Sequence, residues 1–233
     1  MRPVQQLALE LAANEPPSFA NFVAGRNAEA VARLIAASRG ESGETVVVLW
    51  GPPGSGRTHL LRAAVAAVSG RPARYWAEPH AVDEEPPGAA AFVAVDDVDR
   101  SDLVAQGTLF TLFNRLQASG GQLVVAAECP PGRLPLRDDL RTRLGWGLAY
   151  ELHPLSDAEK PQALLRYAEG RGFRLGTDVI EYLLAHGRRD MTTLVATLAA
   201  LDRYSLAGKR PVTVPLLRQW LAERAGRDGL ESA

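Results

Sequence analysis

The sequence predicts an α/β fold, a parallel five-stranded sheet flanked by helices, followed by a small all-helical domain. Three observations carry it. Short apolar runs recur between helical stretches: TVVVLW at 45–50, ARYW at 73–76, AFVAV at 91–95, QLVVAA at 122–127 and LAYEL at 148–152. Strands that alternate with helices form a parallel sheet covered on both faces. The first run leads into a glycine-rich turn and then into the helical stretch THLLRAAVAAV. Beyond Leu152-His153-Pro154 only helical patterns remain.

Taken in order, residues 1–17 form a leader that ends at Pro16-Pro17, a helix breaker. The α/β domain spans 18–153. Within it, Leu103, Phe110, Phe113 and Leu116 have helical spacing, with Ser101 as the expected cap. The loop at 79–89 is rich in proline and acid. The helical domain spans 154–226, with a tail at 227–233. Ser156 and Glu159 have capping-box spacing at the start of a helix running to about Glu169. A second helix follows Thr177. A third starts near Arg189, with Met191, Leu194, Val195, Leu198 and Leu201 on one face, and a fourth covers about 214–225.

Composition excludes several classes. The 233 residues hold 46% hydrophobic types, enough for a sizeable core. With 26 basic and 27 acidic residues the net charge is -1, which argues against binding nucleic acid through bulk charge. The single cysteine, Cys129, excludes an internal disulfide and suits a reducing compartment. No apolar run reaches the length of a membrane span and the N-terminus has no signal-peptide core, so a cytoplasmic location is expected.

The chemistry lies in two short segments. Gly51-Pro52-Pro53-Gly54-Ser55-Gly56-Arg57-Thr58 matches the phosphate-loop pattern at every fixed position except the lysine. Glycines let backbone N–H groups curl around a phosphate at a helix N-terminus, and the Thr58 hydroxyl is placed to reach magnesium. Arginine is a wide planar fork, unlike the compact lysine ammonium, so binding is expected to survive better than hydrolysis. The strand ending in Asp96-Asp97 is the expected acidic partner. Asp96 is assigned to the magnesium shell, with Thr58, and Asp97 to orienting a water. Asp99-Arg100 reads as a solvated turn.

SFANFVAGRN at 18–27, the loop with its Thr58-His59-Leu60-Leu61, VAVDD, and RTRLGWGLAYEL at 141–152, in that order, resemble the AAA+ core of the bacterial replication initiator DnaA. Arg57 in the lysine position resembles the Hda branch, the regulatory inactivators of DnaA. This resemblance covers Ser18 to about Ala225. It implies that Phe22, in the Phe19–Asn27 segment, lies near adenine, and that Gly51, Gly54, Gly56, Arg57, Thr58, His59 and Asp96 bind ADP or ATP with magnesium. Glu128 takes the sensor-1 place, where the family usually reads Ser-Asp against Ala127-Glu128 here. Arg143 matches the arginine finger, against the alternative that Arg141 and Arg143 are surface charges. Arg189 matches sensor 2, against a solvated pair with Arg188.

In the leader, Gln6-Leu7-Ala8-Leu9-Glu10-Leu11 resembles a sliding-clamp-binding peptide, with Gln6, Leu7, Leu9 and Leu11 in pockets or at their rim. An amphipathic helix start fits the same residues. No helix-turn-helix segment follows the lid, so sequence-specific DNA binding is not expected. The resemblance implies a negative regulator of replication initiation that docks on the clamp and uses Arg143 to stimulate hydrolysis by DnaA. The alternative is an ATPase acting as a helicase loader, with Asp97 serving its own site. Self-association through head-to-tail AAA+ contacts is allowed in either case.

Overall fold

The structure is a computed structural model that describes residues 16–187 and 190–230. Its described part divides into two compact units, residues 16–155 and 156 onward.

In the first unit all five sequence-predicted strands form, as β1 (Val46–Trp50), β2 (Ala73–Trp76), β3 (Phe92–Val95), β4 (Gln122–Ala127) and β5 (Leu148–Glu151). They pair in parallel in the order β2-β3-β4-β1-β5. Successive side chains of a strand point to opposite faces. Val46 and Val48 therefore join one core with Val93, Val95, Leu123 and Val125. Val47 and Leu49 join the other with Phe92, Ala94, Val124 and Ala126. β1, β3 and β4 read as unbroken apolar runs because both of their faces are covered.

Helices α1 (Ala28–Ser38) and α2 (Arg57–Ala67) cover the second of these cores through Leu34, Leu60 and Leu61. Helices α3 (Leu103–Ser119) and α4 (Asp138–Gly145) cover the first through Leu109, Leu112, Phe113, Leu116, Leu140 and Leu144. Arg71 ties the end of α1 to the start of β4, donating to the Ala37 carbonyl and to Gln122 Oε1, both at 2.6 Å.

Two local expectations for α3 are corrected. Its cap is Asp102, whose Oδ1 accepts from Ala105 N at 2.8 Å. Ser101 is diverted, because its hydroxyl donates to the Val98 carbonyl at 2.7 Å and closes a preceding 3-10 turn. Leu103 leaves the apolar face. It is 73% exposed and Val104 78%, because the first turn of α3 turns Ala105 and Gln106 inward instead. The 79–89 loop carries a 3-10 turn at Pro79–Ala81. Its acids are answered by arginines, Asp83 by Arg74 and Glu84 and Glu85 by Arg115.

The second unit is helical throughout: α5 (Lys160–Gly170), α6 (Thr177–His186), α7 (Met191–Gly208) and α8 (Val214–Leu230). Its own core gathers Leu164, Val179, Ile180, Leu183, Leu194, Leu198, Leu201, Leu216 and Leu217. α5 begins three residues later than a Ser156 cap would place it. The Glu159 carboxylate does reach back to Ser156 N at 2.8 Å, but the Ser156 hydroxyl donates to that same carboxylate at 2.6 Å rather than capping the backbone. A buried ion pair, Arg171–Asp202 at 3.0 Å, links the end of α5 to α7. α7 is capped by Asp190, which accepts from Thr193 N at 2.8 Å. No helix among the described residues is long and apolar enough to cross a membrane.

Candidate functional site

The C-terminal ends of β1, β3 and β4 lie side by side, because these strands are neighbours in the sheet. Such a row of strand ends is where open α/β sheets place their ligands. Here it brings together the glycine loop after β1, the acids after β3 and Glu128 after β4.

The loop's backbone needs its glycines. At Gly51 (φ +158) a Cβ would collide with the Leu152 carbonyl oxygen, so the chain leaves β1 hard against the end of β5. Gly56 (φ +95) caps α2 in the left-handed region, and a Cβ there would sit 2.6 Å from the Phe22 ring. Gly54 also turns with positive φ. The result is a tight turn at the head of α2, whose first-turn N–H groups have no partner within the helix, the usual setting of an anion cradle.

Phe22 stacks over this turn, with its ring centroid 5.2 Å from that of His59. His59 Nε2 meets the Ser18 carbonyl at 3.0 Å, which places the N–H on that nitrogen. Burial holds its pKa below the usual histidine value, against the carbonyl contact that raises it. His59 and Phe22 thus fasten the 18–27 segment to α2. Asn27 fixes the far end of that segment by exchanging hydrogen bonds with the His153 backbone at 2.8 and 2.9 Å.

Asp96 is buried and fully engaged. Its Oδ2 accepts from the Thr58 hydroxyl at 2.6 Å and from the Tyr75 hydroxyl at 3.2 Å, and its Oδ1 accepts from Asp97 N at 3.1 Å. The structure therefore brings together Thr58 and Asp96, the two residues assigned to magnesium. Asp97 has φ +47, an unusual conformation for a residue with a side chain. Burial, then the neighbouring Asp96, push its carboxyl above the ordinary aspartate value, while Arg100 and Arg57 oppose them.

Arg57 is only 9% exposed and faces acids. Its Nη2 lies 3.7 Å from Asp97 and 4.0 Å from Glu128. Arg100 closes the set, 3.7 Å from each of the same two carboxylates. Arg100 stays exposed on its turn, as the solvated-turn reading expects, but it is not without partners. Its head group bridges the ends of β3 and β4, and Tyr75 likewise joins the site unforeseen. The contacts Arg100–Glu128 and Tyr75–Asp96 carried no sequence signal, since they join the ends of different strands. Arg57 Nη1 and the Ser55 hydroxyl are buried without a hydrogen-bond partner.

Arg143 belongs to a different cluster, at the end of α4. Its guanidinium carbon is 4.1 Å from the Trp146 ring centroid and 5.8 Å from those of Phe110 and Phe113. Arg137 and Arg141 are paired with Asp139 and Asp138. Among the described residues the Arg143 side chain makes neither an ion pair nor a hydrogen bond. The clamp-peptide residues Gln6, Leu7, Leu9 and Leu11, and the sensor-2 assignment Arg189, lie outside the described residues.

A five-stranded parallel sheet in this order, with a phosphate loop, an acidic strand end and a separate helical unit, defines the class as a P-loop module of the AAA+ type. Domain III of the Thermotoga maritima replication initiation protein DnaA is similar over 88% of this chain and 95% of its own, with TM-score 0.75 and 20% identity. AMPPCP-bound DnaA from Aquifex aeolicus is similar over 80% of this chain and 64% of its own, with TM-score 0.61 and 19% identity. The Thermotoga maritima RuvB Holliday junction branch migration motor follows at TM-score 0.65 and 18% identity, over 88% of this chain and 71% of its own. Residues 157–221 match the family described as Hda, lid domain. The chain thus has the fold of DnaA domain III and resembles the Hda lid over residues 157–221.

Proposed function

We propose that this chain is a regulator of replication initiation that holds a nucleotide in its own site and supplies Arg143 to the nucleotide of DnaA, stimulating hydrolysis there. The observation that carries this reading is the contrast among the arginines around α4. Arg137 and Arg141 are spent on local acids, while Arg143 keeps its charge uncompensated on an aromatic shelf. A guanidinium with free N–H edges can neutralise charge developing on a transferring phosphoryl group, the role of an arginine finger.

The residues of the loop fit a nucleoside di- or triphosphate, ADP or ATP. The buried Ser55 hydroxyl and Arg57 Nη1 lack partners beside the glycine turn, polar atoms that a phosphate would satisfy. Thr58 and Asp96 would hold the magnesium ion, which supplies charge neutralisation when bound. The AMPPCP complex of the Aquifex aeolicus relative supports the same ligand class. Arg57 is engaged by Asp97 and Glu128, so the cation is drawn toward the acid meant to orient water. That arrangement favours holding nucleotide over turning it over in cis. Asp97 is the candidate acid for any residual turnover. Docking on the sliding clamp through Gln6, Leu7, Leu9 and Leu11 rests on the sequence pattern alone.

The test combines the purified chain, clamp loaded on DNA and ATP-bound DnaA. Accelerated hydrolysis is expected, weakened by Gln6→Ala. Robust ATP turnover by the isolated chain without partners would favour the helicase-loader alternative and sink the regulatory reading.

A further inference from the structure

We propose that Trp146 is a positioning residue for Arg143, holding the guanidinium by its face so that its charge and its N–H edge remain available to a partner's phosphate. This inference rests on the reading of Arg143 as a finger. Trp146 is 57% exposed, an unfavourable place for a large apolar ring without some compensating contact. What it contacts is Arg143, at 4.1 Å, with Phe113 bracing the indole edge-on at a centroid separation of 6.5 Å and 70° between planes.

The backbone fixes this arrangement. Trp146 ends α4 and donates its N–H to the Arg143 carbonyl at 3.2 Å, which sets the two side chains on the same side of the helix end. The next residue, Gly147, packs so closely on the Val46 carbonyl of β1 that no side chain would fit. The backbone that carries the indole is thus held between the end of α4 and β1.

The chemistry explains why an aromatic, and not an acid, holds this arginine. A carboxylate would use the N–H edge and cancel the charge, as Asp138 and Asp139 do for Arg141 and Arg137. A ring face attracts the cation through its quadrupole and leaves the edge donors unspent. It also removes rotamer freedom that would otherwise be lost on engagement.

The experiment titrates the full-length chain, as wild type, Arg143→Ala, Trp146→Ala and Trp146→Phe, into ATP-bound DnaA with DNA-loaded clamp. Trp146→Ala is expected to lower the maximal stimulated rate roughly five- to tenfold with an unchanged half-saturating concentration. Trp146→Phe is expected to restore most of that rate. A wild-type maximal rate in Trp146→Ala, or a change confined to half-saturation, overturns the positioning role while leaving the finger intact. Wild-type chain without stimulation, or full stimulation by Arg143→Ala, fails the finger reading itself. A partner-free readout guards against misfolding of Trp146→Ala: the emission lost in Trp146→Phe relative to wild type should change on Arg143→Ala. No change there would mean that the stack is absent in solution, and would overturn the proposal.

Discussion

Two arginines in the same α/β unit are treated in opposite ways. Arg57 is buried at the head of α2 and drawn between Asp97 and Glu128. Arg143 stands at the end of α4 on Trp146, Phe110 and Phe113, with no ion pair among the described residues. An arginine surrounded by carboxylates has its charge answered at home and acts on its own site, as part of a structural network. An arginine held by ring faces is restrained yet electrically open. On the proposed reading, the difference separates a site that keeps its nucleotide from a residue that serves a partner.

The contrast can be broken at several points, starting with the rigid loop. Gly51→Ala would force a methyl group into the Leu152 carbonyl, with an expected loss of about 3 kcal/mol in denaturant unfolding and loss of retained nucleotide. An unchanged midpoint would show that the loop and the end of β5 are not packed as described. Arg57→Ala leaves Asp97 and Glu128 with Arg100 alone, and is expected to cost about 1–3 kcal/mol by the same measurement. Arg57→Lys sharpens the point, because a compact ammonium is free to leave the acids. ATP turnover by the isolated chain should then rise severalfold, and an unchanged rate would mean that the arginine is not what restrains it. Arg143→Ala removes only a half-exposed stack, so its stability should fall by less than about 1 kcal/mol. A loss as large as that of Arg57→Ala would make Arg143 a structural residue.

The smallest effect is a pH slope. The Asp97 carboxyl has a folded-state pKa raised by burial and Asp96, so folding favours its neutral form. Whatever stability this lends is complete below the unfolded value of about 3.9 and is lost as pH rises through the raised value. Wild type should therefore lose stability relative to Asp97→Asn as pH climbs from about 4. The opposite slope in paired unfolding curves would contradict the cause assigned to the shift.

Much of this was legible from residues alone, and the reasons are local. β1, β3 and β4 are apolar on both faces, so their sequence runs mark them plainly. The loop glycines and Thr58 announce a phosphate turn because few other uses require that spacing. What stayed hidden was decided at a distance. Arg100 reads as part of a polar turn until β3 and β4 are set side by side, which brings Glu128 within 3.7 Å. Tyr75 sits on an edge strand with a weak pattern, yet its hydroxyl reaches Asp96. Ser101 and Asp102 are both good caps by type, and only the 3-10 turn at Val98–Arg100 decides between them. Leu103 fits the helical period, but the first turn of α3 turns Ala105 and Gln106 inward instead. The aromatic shelf under Arg143 joins residues of α3 to the end of α4, a pairing no spacing rule reports.

The division between holding and lending is tested most directly by hydrolysis of ATP on DnaA in the presence of DNA-loaded clamp, with wild-type chain and with Arg143→Ala carrying equal retained nucleotide. The expected result is stimulation by the wild type and none by Arg143→Ala, although both proteins are folded and nucleotide-bound. Full stimulation by Arg143→Ala would contradict the assignment of Arg143 as the residue this chain supplies to its partner.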